Sequence, residues 1–93
     1  MLTIKYTKQF KKSLKKMSRQ GKNLEKLFSI VECLQQEKTI PEKHRDHTLQ
    51  GRYKGVAGLR ELHIEPDWLL VYQVLGGELK LVLVDTGSHS DLF

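Results

Sequence analysis

The first third of the chain carries the hydrophobic spacing of an amphipathic helix. Phe10, Leu14 and Met17 recur at intervals of four and three residues, and lysines fill most positions between them. This spacing places the apolar side chains on one face of a helix. Thr7 is suited to cap the N-terminus of that helix and Gly21 to end it, so the pattern predicts a helix between these two residues.

A second helix is predicted from about residue 23, where apolar residues repeat at the same spacing. They are Leu24, Leu27, Phe28, Val31 and Leu34. The pattern ends in the polar residues 35–38, shortly before Pro41, which cannot continue a helix. Because only a short turn separates the two helices, we expect them to pack as a hairpin.

The second half of the chain changes to the spacing of β-strands. Residues 59–65 alternate between apolar and polar side chains, which is typical of a strand with one buried face. Residues 68–74 are almost all apolar, which favours a central strand covered on both faces. A third strand of the same kind is predicted over residues 79–84, and residues 2–6 can add a strand at the sheet edge.

Two further local signals complete the predicted order of elements. Pro66 and Asp67 suit the middle of a turn between two strands. Ser88 and Asp91 have the spacing of a capping box, which can start one helical turn. The whole order predicts one α+β domain over residues 1–93, with the two-helix hairpin packed on one face of a small antiparallel sheet.

Charge is distributed unevenly along the chain. Lysine and arginine together number 16, against 11 aspartate and glutamate residues, which gives a formal net charge of +5. The polar face of the first predicted helix holds Lys8, Lys11, Lys12, Lys15 and Lys16. This basic surface predicts an acidic partner, for which RNA, DNA and an acidic protein all qualify, although a solvated helix face would have the same pattern.

Cysteine and membrane signals exclude several classes of protein. The single Cys33 cannot form a disulfide within the chain, and without a second cysteine nearby it is a poor start for a zinc site. The sequence has no apolar run of about 18 residues and no apolar signal-peptide stretch near residue 1. We therefore expect a cytoplasmic protein without a membrane partner.

Three of the 4 histidines lie at predicted element boundaries, namely His47, His63 and His89. Because the ends of neighbouring strands lie side by side in an antiparallel meander, we expect His63 and His89 to converge with Asp67. Imidazole and carboxylate groups together serve acid–base chemistry near neutral pH, and they suit RNA cleavage without a metal. The opposing interpretation is that these are ordinary surface histidines. A metal site at His63 and Asp67 is disfavoured, because Pro66 breaks the helix that their spacing would need.

Two aromatic residues stand close to these boundaries. Trp68 directly follows the predicted turn, and Phe93 ends the sequence. Each can be a core aromatic, or it can stack against a base at the rim of a site. The pattern alone leaves both interpretations open.

Four segments of the second half carry motifs that are specific in combination. They are HTLQG at residues 47–51, YKG at 53–55, RELHIEPDWLLVY at 60–72 and TGSHSDLF at 86–93. Together they resemble the YafQ branch of the RelE/ParE toxin superfamily. The resemblance covers the chain from residue 47 to residue 93 in sequence and the whole chain in the order of its elements.

The resemblance implies the toxin of a bacterial type II toxin–antitoxin pair, an endoribonuclease that cuts mRNA on the ribosome without a metal or other cofactor. Its partners would be a cognate antitoxin, the ribosome and mRNA. The family's catalytic positions fall on His47, His63, Asp67 and His89. Asp67 would act as general base and His89 as general acid, while His47 and His63 would position RNA or stabilise charge. Substrate-binding positions fall on Lys54, Arg60, Trp68 and Phe93.

Two other functions compete with this hypothesis. A ParE-like toxin would use the same fold to inhibit a protein target such as a topoisomerase, and it would need no acid–base cluster. A non-catalytic nucleic-acid-binding module would rely on the lysines of the first helix, and its binding would depend strongly on salt but not on the histidines.

Overall fold

The structure, a computed structural model, describes residues 1–49, 53, 55, 56 and 58–93. Its strands are β1 (Thr3–Tyr6), β2 (His47–Thr48), β3 (Arg60–Glu65), β4 (Trp68–Leu75) and β5 (Lys80–Gly87). Its α-helices are α1 (Lys8–Arg19), α2 (Leu24–Gln35) and α3 (His89–Leu92). Single 3₁₀ turns occupy Glu42–His44 and Gly76–Glu78. The α+β class that the sequence predicts is therefore confirmed.

The five strands form one sheet in the order β1-β5-β4-β3-β2. Strands β2 to β5 pair antiparallel, but β1 runs parallel to β5, with Thr3 opposite Lys80 and Tyr6 opposite Leu83. The sheet is therefore mixed, and the prediction of a purely antiparallel sheet is wrong at this edge. The period of a strand carries no information on the direction of its partner, and no short turn links β1 to β5.

The helices begin and end at residues that the sequence singled out. Thr7 Oγ1 accepts a hydrogen bond from the Phe10 amide at 3.0 Å and lies 2.9 Å from the Leu83 carbonyl oxygen, so the cap also fixes α1 to β5. At the other end, Gly21 has φ +79°, and the amides of Gly21 and Lys22 donate to carbonyls of the last turn. This is a glycine C-terminal cap, which few other residues could adopt without strain.

The helices α1 and α2 share one face of the sheet. The larger core cluster lies there and includes Phe10 and Met17 from α1, Leu27 from α2 and Leu62 and Leu70 from the sheet. Burying each such side chain contributes about 1.5–3 kcal/mol. In the cluster α1 packs on β5 and α2 on β3, so the two helices are held mainly through the sheet rather than as a separate hairpin.

The opposite face of the sheet carries a smaller core of Tyr53, Leu59, Leu69, Val71 and Leu92. Strand β4 contributes to both clusters, so the prediction of a central strand covered on both faces is confirmed. The helix α3 closes this second face and brings the end of the chain over β4 and β5. Over the described residues, no helix has the length and apolar character needed to cross a membrane.

Candidate active site

The turn between β3 and β4 meets the first residue of α3. Asp67 lies in that turn, and its Oδ1 atom accepts two hydrogen bonds from His89, one from the backbone amide at 2.9 Å and one from Nδ1 at 2.6 Å. The side chains remain open to solvent, with 52% of His89 and 67% of Asp67 exposed. The contact with the carboxylate assigns the ring hydrogen to Nδ1, which leaves Nε2 as the atom that exchanges protons with a substrate.

The same contacts set the charge of the carboxylate. The His89 backbone amide and, after it, the His89 side chain hold the pKa of Asp67 below its ordinary value. Asp67 is therefore ionised at neutral pH. An ionised carboxylate that already accepts two hydrogen bonds is a weak proton acceptor, but it is well suited to orient an imidazole and to stabilise its protonated form.

A second group of ionisable side chains lies on β3 and β2, on the face opposite α1 and α2. Glu61 is only 6% exposed, and its Oε1 atom lies 3.9 Å from His63 Nε2 and 3.7 Å from His47 Nε2. The register of β2 and β3 explains this, because it sets His47 directly opposite Glu61. The Nδ1 atoms of the two rings donate to backbone carbonyls, at 3.3 Å from His63 to Pro66 and at 2.6 Å from His47 to Arg45.

The two groups adjoin each other. The ring centroids of His63 and His89 are 5.5 Å apart. Two imidazole–carboxylate pairs, His89 with Asp67 and His63 with Glu61, therefore stand side by side on one surface. The structure brings together His47, His63, Asp67 and His89, the residues expected from the sequence, and it adds Glu61.

Glu61 could have been found in the sequence. The alternation of β3 places Glu61 and His63 on the same face, and a carboxylate next to a histidine on one strand face is a candidate acid–base pair. The sequence has no signal for its burial, because that depends on His47 crossing from β2.

Phe93 lies at the rim of this surface. It is 62% exposed, its amide donates to the His89 carbonyl at 2.8 Å, and its ring meets that of Tyr53 edge to face at 5.7 Å. Tyr53 is itself fixed, because its hydroxyl donates to the buried Asp85 carboxylate at 2.8 Å. Burial and then Asp85 raise the pKa of Tyr53, so its hydroxyl stays protonated. Phe93 thus carries an exposed side chain at the end of the helix that begins with His89.

Trp68 does not lie in the site, which corrects the interpretation that a base stacks on it. Its ring is 0% exposed within the core beneath α1 and α2, and its Nε1 atom donates to Thr86 Oγ1 at 2.9 Å. The reason is strand alternation, because Trp68 shares the face of Leu70 and Tyr72, whereas Leu69 and Val71 face the other side.

Arg60 also lies away from the cluster, on the opposite face of β3 from Glu61. Its guanidinium donates to Asp46, Tyr72 and Thr48 at distances of 3.0 to 3.3 Å. The structure therefore gives Arg60 a role in holding the β2 segment to β3 and β4. Lys54, the remaining substrate-binding residue expected from the sequence, lies outside the described residues.

The helix α3 that carries His89 is only four residues long and is fixed from two sides. Ser88 and Asp91 form the predicted capping box, with the Asp91 amide donating to Ser88 Oγ at 3.1 Å and the Ser88 amide to Asp91 Oδ2 at 3.0 Å. Lys16 of α1 donates to Asp91 Oδ1 at 2.6 Å. Lys16, followed by the Ser88 amide, lowers the pKa of Asp91 to about 2. A β-carbon added at Gly87 would lie 2.9 Å from Asp91 Cβ, so this glycine permits the close approach.

Solved structures of other proteins share this fold over the whole chain. A metal-bound toxin from Helicobacter pylori has a TM-score of 0.90 and 43% sequence identity, and the match covers 100% of both chains. A chain of the E. coli DinJ–YafQ complex has a TM-score of 0.87 and 33% identity, over 100% of this chain and 99% of that one.

The H. pylori toxin of that structure is metal-bound. Within the residues that the structure describes, no group of three or more histidine, cysteine, aspartate or glutamate side chains could hold a metal ion.

Sequence comparison identifies the family directly. The mRNA interferase toxin YafQ of Escherichia coli strain K12 is 34% identical over 91 residues, which are 97% of this chain and 94% of that protein. A family model described as a bacterial toxin of type II toxin–antitoxin systems, YafQ, matches residues 2–93. Together with the fold, these matches show that the chain belongs to the YafQ family of toxins.

Proposed function

We propose that the chain is an endoribonuclease that cleaves mRNA on the ribosome by acid–base catalysis, as the toxin of a type II toxin–antitoxin pair. The observation that supports it best is the pairing of His89 with Asp67 beside His63 and Glu61. The E. coli relative that carries the name mRNA interferase supports the choice of substrate. A ParE-like inhibitor of a protein target would need no such cluster.

The proposed reaction is attack of a ribose 2′-oxygen on the neighbouring phosphorus. The bond from phosphorus to the 5′ oxygen breaks, which leaves a 2′,3′-cyclic phosphate and a 5′-hydroxyl. One group must take the proton of the 2′-OH, and another must protonate the leaving 5′ oxygen. The two imidazoles, with ring centroids 5.5 Å apart, can serve the two ends of one phosphodiester.

His89 is the proposed general acid. Its Nδ1 atom is held by Asp67 at 2.6 Å, so the proton given to the 5′ oxygen comes from Nε2. Before this transfer, Asp67 stabilises the doubly protonated ring, and it fixes the orientation of the ring throughout. We assign Asp67 this role rather than that of general base, because the hydrogen bonds from His89 lower its pKa.

His63 is the proposed general base. Its Nδ1 atom donates to the Pro66 carbonyl oxygen, so its Nε2 atom takes the proton of the 2′-OH. The Glu61 carboxylate, 3.9 Å from that atom, stabilises the charge that results. His47 is half exposed on the other side of Glu61, and we assign it to binding the phosphate oxygens, where charge builds up in the transition state.

The proposed partners are the ribosome, mRNA and an antitoxin in the cytoplasm. The α1 lysines, defined as Lys8, Lys11, Lys12 and Lys15, form an exposed basic surface, whereas Lys16 is bound to Asp91. Such a surface suits the phosphates of ribosomal RNA. The E. coli DinJ–YafQ complex supports the expectation of an antitoxin.

Mapping of mRNA 5′ ends on translating ribosomes tests this function. The wild-type chain should generate new ends, and Asp67→Asn or His89→Gln should remove them. Glu78→Gln is the matched control, because Glu78 is an exposed carboxylate in the hairpin turn between β4 and β5. Growth inhibition by the wild-type chain without new mRNA ends would favour the ParE-like alternative.

A further inference from the structure

A pocket lies next to the candidate active site, and His63 belongs to both. It has a volume of about 620 Å³ and lies between α2, the 3₁₀ turn Glu42–His44 and the C-terminal half of β3. Pockets that hold small ligands typically measure about 300–1,000 Å³. His63 lines this pocket, while its ring belongs to the catalytic cluster on the other face of β3, so the pocket and the cluster meet at this residue.

The lining of the pocket combines an aliphatic wall with cations. Ile30, Ile64 and Pro66 provide the apolar surface, and Lys43 and Arg45 are exposed cations beside it. A nucleotide has the complementary composition, since its base is flat and largely apolar on its faces and its phosphate is anionic. Proteins bind single-stranded RNA by stacking its splayed bases on flat side chains, arginine among them, and by contacts of its phosphates with lysine or arginine.

The pocket also contains the carboxylate of Glu65, but two lysines neutralise its charge, so it does not repel a bound anion. Glu65 accepts hydrogen bonds from Lys26 at 2.9 Å and from Lys22 at 3.2 Å. These two lysines hold the pKa of Glu65 below its ordinary value, so the carboxylate is charged but compensated. Lys43 and Arg45 thus give the pocket a net positive charge.

The edge of the sheet lets one RNA strand reach both places. Strand β2 pairs with β3 only at Arg60 and Glu61, so the rest of β3 is not covered by β2. His44 covers that edge instead, with its Nδ1 atom donating to the His63 carbonyl oxygen at 2.7 Å. An RNA strand bound on the face that carries His89 would reach the pocket by passing the sheet edge at His44 and His63.

We propose that this pocket binds one unstacked nucleotide of the RNA strand next to the cleaved bond. The proposal rests on the proposed ribonuclease function and extends it. The base lies against Ile30, Ile64 and Pro66, and its phosphate lies between Lys43 and Arg45. The pocket contributes binding and not proton transfer, so its loss should raise KM and leave kcat nearly unchanged.

The first test neutralises the two cations. The double variant Lys43→Gln/Arg45→Gln should raise the KM for mRNA cleavage on ribosomes about tenfold, with kcat changed less than about twofold. Lys5→Gln/Lys80→Gln removes the same charge at the other side of the sheet, where β1 pairs with β5, and is the matched control. If KM rises equally for both double variants, the effect comes from the lower net charge of the protein and not from the pocket, and the proposal is overturned.

The second test measures binding without cleavage. A trinucleotide with 2′-O-methyl sugars cannot be cut, and in amide NMR titrations of the wild-type chain it should shift the signals of Ser29, Lys43 and Arg45. Ser29 is an exposed residue of α2 that lines the pocket, so Ser29→Phe should fill the pocket and weaken these shifts. Ser18→Phe, at an exposed position of α1, should leave them intact.

The two tests separate this proposal from the proposed function. Shifts in the pocket with no mRNA cleavage by the wild-type chain would support the nucleotide site and refute the ribonuclease. Cleavage with shifts confined to the surface around His89 would support the ribonuclease and refute the nucleotide site.

Discussion

Loss of the Asp91 side chain should lower cleavage about tenfold without touching any group proposed to react. Asp91→Ala removes the capping box of α3 and the ion pair with Lys16. The hydrogen bond that the Asp91 carboxylate accepts from the Ser88 amide is worth about 1 kcal/mol, and an ion pair with an exposed lysine about 0.2–1 kcal/mol. A helix of four residues has almost no stability of its own, so this loss acts directly on the placement of His89. Since 1.4 kcal/mol is a factor of ten, the sum predicts about a tenfold lower kcat.

A graded series of variants separates the two contributions. Asp91→Asn keeps an oxygen that can accept from the Ser88 amide but loses the charge, so cleavage should fall only about twofold to threefold. Lys16→Met should match Asp91→Asn, and Lys16→Arg should restore the wild-type rate. Single-turnover cleavage and thermal melts of each variant provide the measurement. Equal rates for Asp91→Ala and the wild-type chain, or losses that follow the folded fraction alone, would refute the positioning of His89 by α3.

The pH dependence of this contact has a definite sign. Because Lys16 lowers the pKa of Asp91 from 3.8 to about 2, the carboxylate stabilises the folded state at every pH above about 4. The contribution is lost as the pH falls from about 4 to 2. Between pH 5 and pH 8, the difference in stability between the wild-type chain and Asp91→Ala in thermal melts should therefore stay constant.

Three further predictions concern the catalytic surface. His89→Gln should lower single-turnover cleavage at least a hundredfold with an unchanged melting temperature, because the side chain is exposed and lies outside both cores; retained cleavage would remove it from the mechanism. Phe93→Ala should lower cleavage about tenfold, since stacking on a base is worth about 1–3 kcal/mol, and an unchanged rate would make the ring a partner of Tyr53 alone. Replacing the α1 lysines with glutamine should weaken ribosome binding and flatten its salt dependence, whereas unchanged association would make them a solvated surface.

Local signals in the sequence predicted the parts of the site that depend on single turns. Pro66 and Asp67 gave the turn between β3 and β4, and Ser88 with Asp91 gave the start of α3. These two segments carry the contact between Asp67 and His89, so the convergence of the two residues could be expected. The sequence could not show which of the two residues acts as the acid and which one orients it, because that depends on which atoms of His89 contact the carboxylate.

Other features depend on long-range pairing, which periodicity does not encode. The strand over residues 68–74 was predicted to be covered on both faces, but its pattern does not say which face the helices occupy. The pattern therefore does not decide whether Trp68 lies in the core or at the site, and the sheet places it in the core. Two more features depend on pairing between separate strands. The parallel pairing of β1 joins it to β5, at the other end of the chain, and the burial of Glu61 requires β2 to pair with β3 so that His47 lies opposite Glu61.

The pairing of the first strand with the last has a consequence for when the toxin can act. Thr3 lies opposite Lys80, and the Thr7 cap of α1 reaches the carbonyl of Leu83. During translation the N-terminal strand therefore has no partner until β5 has been made and has left the ribosome. His89 and Phe93 follow β5 in the chain and emerge later still. A nascent copy thus has neither a closed sheet nor a complete site until β5 and α3 have both left the ribosome.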